Sequence, residues 1–154
     1  MGFQVRGQLT SLRPADGDDV DRLVAWHSDP DVARYWDDET FTREEMVERL
    51  ARPDVEAWIV EADGAPVGYL QVHPEGLDMF LIPSARGRGL GPDAARAMAR
   101  HLRERAFARV TVDPYTWNDG AVRAWERAGF VEVSRGHPPD EDHTAEWILM
   151  EFRG

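Results

Sequence analysis

The stretch PSARGRGLGPDAARAMARHL, residues 83–102, decides how the rest of the chain is interpreted. Glycines alternate with other residues, among them Arg86 and Arg88, and an alanine-rich helical pattern follows without interruption. Glycines at every second position let a backbone approach another group closely, with several N–H groups turned the same way. The helix adds the positive end of its dipole, and guanidinium groups suit phosphate oxygens. The pattern is typical of a loop that cradles an anion.

The same glycines could do no more than turn the chain between a strand and a helix, so the neighbouring elements have to decide. Hydrophobic periodicity predicts a mixed α/β order. Strands are predicted at residues 8–14, in a hairpin over 55–72 around Asp63-Gly64, and at 76–83, 108–114, 130–135 and 145–152. Helices are predicted at 16–29, 29–36, 42–51, 90–102 and 118–129.

Local signals support these helices. Thr42 and Glu45 have the spacing of a capping box, Asn118 or Asp119 can cap the last helix, and Gly129 can end it. A stripe at helical spacing in the helix after the glycines should face the sheet; it consists of Leu90, Ala94, Met98 and Leu102. The glycine-rich loop therefore follows a strand and precedes a long helix, as an anion cradle requires.

Two nucleotide-binding folds do not fit this order. No Gly-Lys-Ser or Gly-Lys-Thr ends the stretch, so it is not a P-loop. A dinucleotide-binding fold would place its glycines in the first strand-to-helix turn, whereas here they come past the middle of the chain, after an antiparallel hairpin.

Size and composition indicate a single domain over 1–154, since 42% of the 154 residues are hydrophobic and can form a core. No apolar run is long enough to cross a membrane, and the first residues lack the pattern of a signal peptide. There are no cysteines, which excludes disulfides and a cysteine nucleophile. The five histidines lack metal-ligand spacing, so no metal site is expected. We expect a cytoplasmic protein without a membrane partner.

The formal net charge is -11 at pH 7, which argues against a nucleic-acid partner and accommodates a cationic one. Acidic proteins are often simply soluble, so the charge gains meaning only beside a site. The glycine-rich stretch is locally basic within this acidic chain. Such a distribution favours an anionic cofactor at the loop and a cationic substrate elsewhere.

Two motifs resemble the GCN5-related N-acetyltransferases (GNAT). The family's acetyl-coenzyme A loop, Arg or Gln followed by x-x-Gly-x-Gly or Ala, is matched by Arg86, Gly89 and Gly91. The segment NDGAVRAWERAGF is similar to a second family motif, with matches at Asn118, Ala121, Glu126, Gly129 and Phe130. The resemblance runs from about Leu9 to the C-terminus.

The resemblance implies an α/β (α+β) fold of the GNAT type, with a mixed, mostly antiparallel central sheet of about six to seven strands flanked by helices. It also implies acetyl-coenzyme A (acetyl-CoA) as cofactor and acetyl transfer to an amine. The residues expected to bind the cofactor are Phe80, Leu81, Ile82, Arg86, Gly87, Arg88, Gly89, Leu90, Gly91 and Asn118. Backbone N–H groups of 80–82 would position the pantetheine.

Within that superfamily the chain resembles the aminoglycoside 6'-N-acetyltransferases, through LRP, DVARYW, GYLQ, GLD and VDPYTWN in order. This resemblance implies catalytic roles for Asp78, as the base that takes a proton from the substrate amine, and for Asp113, which could equally bind substrate. Further candidates for substrate binding are Trp36, which could instead belong to the core, and the acidic run with Asp140 and Asp142, which could instead be solvated.

The sequence departs from the family at two places. Trp125 stands where many relatives carry a tyrosine that can protonate the leaving thiolate, and an indole N–H is not a useful acid. The connection HPEG, residues 73–76, is also shorter than in some aminoglycoside enzymes. Three functions stay open: an aminoglycoside acetyltransferase, an acetyltransferase for a protein N-terminus, polyamine or siderophore amine, and a non-catalytic acetyl-CoA-binding module. The sequence leaves open whether the protein is a monomer or a homodimer.

Overall fold

The computed structural model describes residues 3–74, 76–136 and 146–154. These residues form eight strands and five α-helices. In chain order the elements are β1 (Val5–Arg6), β2 (Ser11–Pro14), α1 (Val20–Ser28), α2 (Pro30–Ala33), α3 (Arg43–Ala51), β3 (Glu56–Ala62), β4 (Ala65–His73), β5 (Gly76–Leu81), α4 (Leu90–Glu104), β6 (Thr111–Val112), α5 (Asp119–Ala128), β7 (Phe130–Gly136) and β8 (Trp147–Phe152). None of the described helices has the length and apolar character that a bilayer-spanning helix needs.

The strands form two antiparallel sheets, one with the order β1-β2-β3-β4-β5 and the other with the order β6-β8-β7. Strand β5 is an edge of the first sheet and β6 an edge of the second. The two edges lie side by side at Gly76 of β5 and Thr111 of β6. Their backbones are so close that a Cβ atom added to Gly76 would lie 2.5 Å from the carbonyl oxygen of Thr111. The site described below lies along this junction.

The predicted fold class is confirmed, with one more strand than expected and with the strands divided between two sheets. The additional strand, β1, has only two residues, and it is held by pairing of Val5 with Leu12 and of Arg6 with Ser11. So short a strand carries no alternating pattern in the sequence, and its pairing across a turn makes it visible only in the folded chain.

The five-stranded sheet separates two clusters of buried side chains. On one face lies α4, whose predicted stripe is confirmed as core, with Met98 fully buried and the other three members at most 4% exposed. On the other face lie α1, α2 and α3. Successive residues of β4 alternate between the clusters, since Tyr69 packs with the front helices and Leu70 packs toward α4.

Local hydrogen bonds fix where the helices begin. The predicted capping box is present: Thr42 Oγ1 accepts from the N–H of Glu45, and the Glu45 carboxylate accepts from the N–H of Thr42. Of the two possible caps for α5, Asn118 is used, because its Oδ1 accepts from the N–H of Ala121 at 3.2 Å. The turn between β3 and β4 has positive φ at Asp63 and Gly64, as a tight hairpin requires.

Asp93, in the first turn of α4, fastens this helix to the turn between β1 and β2. Its buried carboxylate accepts hydrogen bonds from the N–H groups of Gln8, Leu9 and Thr10 and from the Thr10 hydroxyl, at 2.8 to 3.0 Å. Burial by itself raises the pKa of Asp93, but these four donors lower it more, so the pKa lies below its usual value. The start of α4, where the glycine-rich loop ends, is therefore held in place from behind.

Candidate active site

Two cavities, each of about 410 Å³, meet along the exposed edge of β5. One, named here the arginine cavity, lies between the glycine-rich loop and α5, and the other, the acidic cavity, lies between β5 and the residues that follow α2 and β6. Both cavities are lined by Tyr35, Met79, Asn118, Ala121 and Trp125. A ligand in one cavity can therefore reach a ligand in the other.

The glycine-rich loop forms one wall of the arginine cavity. Gly89 precedes the first residue of α4 and has a left-handed backbone with φ 76°, a conformation that glycine adopts without strain. A Cβ at this position would meet only Leu9 Cδ1, at 3.8 Å, so glycine is needed here for its backbone angle and not for space. Eight of the ten residues predicted to bind the cofactor line this cavity, the exceptions being Ile82 and Arg88.

Arg86 lines the arginine cavity, but its guanidinium group is held by protein oxygens. Nε donates to the carbonyl of Leu81 at 3.2 Å, and Nη2 donates to the carbonyl of Asp31 at 2.8 Å. The guanidinium carbon also lies 5.3 Å from the centre of the Tyr35 ring. Arg86 thus connects the glycine-rich loop to β5 and α2, which fixes the shape of the loop.

Arg88 and Ile82 are placed differently from the expectation. Arg88 Nη2 lies 3.3 Å from Asp63 Oδ2, at the tip of the β3–β4 hairpin, and Arg88 is not among the described residues that line either cavity. The N–H of Ile82 donates to the carbonyl of Val67 at 2.9 Å and is therefore not free for a ligand. Because N–H groups alternate along an antiparallel strand, the N–H of Leu81 lies on the edge of β5 away from β4.

The opposite wall of the arginine cavity carries two residues that the sequence analysis did not single out. Arg123 and Arg127 lie one turn apart on α5, both are exposed, and both line the cavity. Among the described residues, neither guanidinium group has a hydrogen bond or an ion pair to a protein group. With Arg86, the cavity has three arginines and no carboxylate among its described lining residues, although the chain as a whole carries a net charge of -11.

The acidic cavity has the opposite charge. Its described lining includes four carboxylates and a single arginine, Arg49; the carboxylates are Asp37, Glu39, Asp78 and Asp113. Arg49 is turned toward protein groups, since Nη1 donates to Gln71 Oε1 at 2.9 Å. The two predicted catalytic aspartates are thus brought to one cavity, which suits a cationic ligand.

Asp78 lies at the centre of a hydrogen-bonded group on the face shared by β4 and β5. Its Oδ2 accepts from Gln71 Nε2 at 3.1 Å and lies 2.8 Å from His73 Nε2. Among the described residues, none donates to Oδ1 of Asp78. One carboxylate oxygen is therefore fixed by the protein, while the other is left to accept from a ligand in the acidic cavity.

Gln71 is itself held by two donors. Its Oε1 accepts from the Tyr69 hydroxyl and from Arg49 Nη1, each at 2.9 Å. These bonds orient the Gln71 amide so that its nitrogen faces Asp78. Burial raises the pKa of Tyr69 to about 12, so its hydroxyl stays protonated and remains a donor at neutral pH.

The aromatic residues of the site have different surroundings. Trp36 lines the acidic cavity and also packs edge-on against Tyr69 and Phe80, so it belongs to both the cavity wall and the core. Trp125 is only 6% exposed and lies where the two cavities meet. The Tyr115 hydroxyl donates to Asp37 Oδ1 at 3.0 Å, and burial together with that carboxylate raises the pKa of Tyr115.

Asp140 and Asp142 lie outside the described residues, so their binding of a substrate stays a prediction. Among the residues that the structure does describe, no group of three or more His, Cys, Asp or Glu side chains is arranged to hold a metal ion.

Comparison with known proteins agrees with this geometry. Residues 10–131 match the family model described as an acetyltransferase (GNAT) domain. The chain belongs to the GNAT acetyltransferase family. Enzymes of this family use acetyl-CoA, so the predicted cofactor is confirmed at the level of the family.

Several characterised GNAT proteins are similar to this chain. Aminoglycoside N(6')-acetyltransferase type 1 of Klebsiella pneumoniae is 25% identical over 156 residues, which cover 84% of this chain and 78% of the relative. A mycothiol acetyltransferase of Thermomonospora curvata is 30% identical over 112 residues, which cover 64% of this chain and 38% of the relative.

Solved structures share the fold. A structure of AAC(6')-Ib in complex with paromomycin and acetyl-CoA superposes with a TM-score of 0.81 at 24% identity, covering 94% of this chain and 93% of that chain. The ribosomal L7/L12 alpha-N-protein acetyltransferase RimL gives a TM-score of 0.80 at 15% identity, covering 98% and 94%. Structures with different acceptors in their names therefore share this fold, and the acceptor has to be argued from the site.

Proposed function

We propose that this GNAT protein transfers the acetyl group of acetyl-CoA to a primary amine of a polycationic small molecule, and that the 6'-amine of an aminoglycoside is the first candidate. One observation carries the proposal: two cavities of opposite charge adjoin at Met79, Asn118 and Trp125. An anionic cofactor and a cationic acceptor would each meet the side chains that suit it, with their reactive ends at the junction.

The arginine cavity fits the cofactor. The left-handed residue Gly89 turns the chain into α4, and the first N–H groups of that helix have no partner within the helix. Across the cavity, Arg123 and Arg127 offer guanidinium donors. When bound, acetyl-CoA supplies the acetyl thioester that the amine attacks. Leu81 lines this cavity, and its N–H, on the edge of β5 away from β4, would be available to the cofactor's amide chain.

Asp78 is the proposed base. An aminoglycoside amine is protonated at neutral pH and has to lose a proton before it can act as a nucleophile. Asp78 lines the acidic cavity, and its Oδ1 has no donor from the described residues, so this oxygen can accept the ammonium proton. Gln71 and His73 keep Oδ2 fixed, which limits the motion of the carboxylate. Asp113 adds a second negative charge that attracts the acceptor.

No side chain at the junction is suited to protonate the leaving thiolate. Trp125 occupies the position of the family tyrosine and has no acidic proton in the useful range. The hydroxyl of Tyr115 is engaged with Asp37, and its raised pKa makes it a weaker acid. We infer that the thiolate leaves unprotonated or takes a proton from water. Positioning of amine and thioester then supplies a large part of the rate enhancement.

The carboxylates of the acidic cavity favour a polyamine or an amino sugar over a neutral acceptor. Among the described lining residues carboxylates outnumber the arginine four to one, and Arg49 lies 3.9 Å from one of them, Glu39, so a molecule with several ammonium groups suits the cavity. A peptide with a free N-terminus offers one positive charge and gains less from the same cavity. The similarity to an aminoglycoside acetyltransferase supports the amino sugar.

The test measures thiol release from acetyl-CoA with a panel of acceptors. The panel contains neomycin, paromomycin, spermidine and peptides with free N-termini. Neomycin and paromomycin form a matched pair, because neomycin has an amine at the 6' position where paromomycin has a hydroxyl. Turnover with neomycin and not with paromomycin is the expected result. Turnover with peptides or spermidine alone would overturn the aminoglycoside assignment, and no turnover with any amine would favour the binding module.

A further inference from the structure

We infer that Arg123 and Arg127 form a subsite for the 3'-phosphate of coenzyme A, separate from the glycine-rich loop that faces the pyrophosphate. The inference rests on the proposed cofactor site and adds a specific task for the α5 wall of the arginine cavity. It concerns which anionic form of the cofactor the protein selects.

Arg123 and Arg127 are four positions apart on α5. Positions four apart on a helix lie on the same face, about 5–6 Å apart at Cβ, so two guanidinium groups can converge on one anion. Both side chains line the arginine cavity. Two exposed like charges at this spacing repel each other slightly in the free protein, and an anion placed between them removes that repulsion.

The arginines near this cavity differ in whether a protein group already binds their guanidinium groups. Arg86 is engaged by the carbonyls of Leu81 and Asp31, and Arg88 contacts Asp63. Within the described part of the chain, Arg123 and Arg127 have no carboxylate or carbonyl bound to their guanidinium groups. Of the three arginines that line this cavity, Arg123 and Arg127 are therefore the ones available to a ligand.

The two walls of the arginine cavity offer different kinds of hydrogen-bond donor. Coenzyme A carries two ionised centres, the pyrophosphate and the phosphate on the ribose 3'-oxygen. The glycine-rich loop and the start of α4 offer backbone N–H groups to one anion. The α5 wall faces that loop across the cavity and offers two side-chain cations to another. A cofactor held between the walls would have one anionic centre for each.

The α5 wall is also held in place by contacts with α4. Arg96 of α4 donates to the carbonyl of Arg127 at 2.6 Å, and α5 packs on α4 through Trp125, Ala128 and neighbouring core residues. The backbone that carries both cations is therefore held against α4. Binding of a phosphate would have to order the two side chains but not the helix that carries them.

The experiment compares coenzyme A with 3'-dephospho-coenzyme A by isothermal titration calorimetry. The proteins are the wild type, Arg123→Gln, Arg127→Gln, the double variant, and Arg100→Gln as a control at an exposed arginine of α4 outside the cavity. The wild type is expected to bind coenzyme A about tenfold or more tightly than the dephospho form. In the double variant this preference should fall to about twofold or less, with the affinity for the dephospho form unchanged.

Two outcomes would overturn the inference. Equal loss of affinity for both ligands in the double variant would place the arginines on the pyrophosphate. Equal affinity of the wild type for both ligands would remove the subsite while leaving the cofactor assignment intact. If the wild type binds neither ligand, the proposed function itself is wrong. Salt dependence gives a second readout, because loss of a phosphate contact should flatten the decline of coenzyme A affinity with salt.

Discussion

His73 Nε2 and Asp78 Oδ2 lie 2.8 Å apart, and the same carboxylate oxygen also accepts from Gln71. The register between β4 and β5 creates this arrangement, because Gln71 lies directly opposite Asp78 and His73 lies two residues further along the same face. The proposed base is therefore held by its neighbouring strand. His73 is a positioning residue in this scheme, since it acts on the amine only through Asp78.

Replacing His73 with leucine should lower kcat about tenfold with little change in the affinity for acetyl-CoA, because Asp78 loses one of its two donors. His73→Gln keeps a side-chain N–H donor and should recover most of the loss. The split between kcat and KM distinguishes positioning from general damage, because only kcat should fall in His73→Leu while the KM for acetyl-CoA stays within about twofold of wild type. Unchanged kcat in His73→Leu, or no recovery in His73→Gln, would contradict this role.

Replacing Asp78 with asparagine should reduce turnover at least about tenfold while the calorimetric affinity for acetyl-CoA stays within about twofold. The physical reason is that an amide cannot accept the ammonium proton, whereas the arginine cavity is untouched. Glu48→Gln, at an exposed position of α3, controls for the loss of one surface charge. Unchanged turnover in Asp78→Asn would remove this residue from the base role and make Asp113 the next residue to test.

Replacing Gly89 with alanine should raise the dissociation constant of coenzyme A about three- to tenfold. The added methyl group has room, but alanine at φ 76° is strained by about 1 kcal/mol, and the loop would shift to relieve the strain. Gly17→Ala is the control, since Gly17 has open space around an added Cβ, begins a 3-10 helix and lines neither cavity. Coenzyme A affinity equal to wild type in Gly89→Ala would show that the loop geometry is not needed for binding.

Local chemistry explains which parts of the fold were predictable from the sequence. The hairpin turn at Asp63-Gly64, the capping box of Thr42 and Glu45, and the long helix after the glycines each depend on residues within a few positions of one another. Such features need no knowledge of the tertiary structure. The family motifs then supplied the order of the elements and the cofactor.

The contacts that were missed join distant residues. Asp93 binds the backbone of 8–10 across more than 80 positions, and no local pattern marks that pairing. The contact of Arg88 with Asp63 likewise crosses 25 positions. His73 is different, because the short connection at 73–76 fixes the register of β4 and β5 and places Gln71 opposite Asp78. Counting residues across that connection in the sequence would have predicted that Gln71 and His73 lie beside Asp78.

Replacing Asp93 with asparagine should lower the free energy of unfolding by about 2–4 kcal/mol at pH 7, because a buried charged acceptor of four hydrogen bonds is lost. The pKa of Asp93 is lowered in the folded protein, so its contribution is present above the ordinary aspartate pKa of about 4 and declines as the pH falls below it. Urea unfolding at pH 7 and near pH 3 measures both effects. The difference in the free energy of unfolding between Asp93→Asn and wild type should be smaller near pH 3 than at pH 7.

Asp18→Asn, at an exposed position with no ion pair among the described residues, serves as the control for Asp93→Asn and should leave the free energy of unfolding within about 0.5 kcal/mol of wild type. If the free energies of unfolding of Asp93→Asn and wild type differ little at pH 7, or if their difference stays constant down to pH 3, the anchoring role of this carboxylate is contradicted.

His27 makes the fold sensitive to mild acid. It is fully buried among Trp36, Phe41, Tyr69 and Phe80, and neither ring nitrogen has a hydrogen-bond partner among the described residues. Burial, with a smaller effect from the charge of Arg49, lowers the pKa of His27 to about 4. The unfolded chain therefore binds this proton at a higher pH than the folded protein does.

This difference in pKa decides at which pH His27 lowers the free energy of unfolding. Above about pH 6.5 the histidine is neutral in both states and has no effect; as the pH falls from 6.5 to 4, only the unfolded state gains the proton, which costs the fold about 3 kcal/mol. His27→Leu removes both the titration and two unpaired buried nitrogens, so it should be at least as stable as wild type at pH 7. Between pH 6.5 and 4, the free energy of unfolding of His27→Leu, measured with urea, should fall less than that of wild type. His101→Gln, at a partly exposed histidine, should change this dependence on pH less than His27→Leu does. A slope for His27→Leu equal to that of wild type would show that His27 does not control the acid sensitivity.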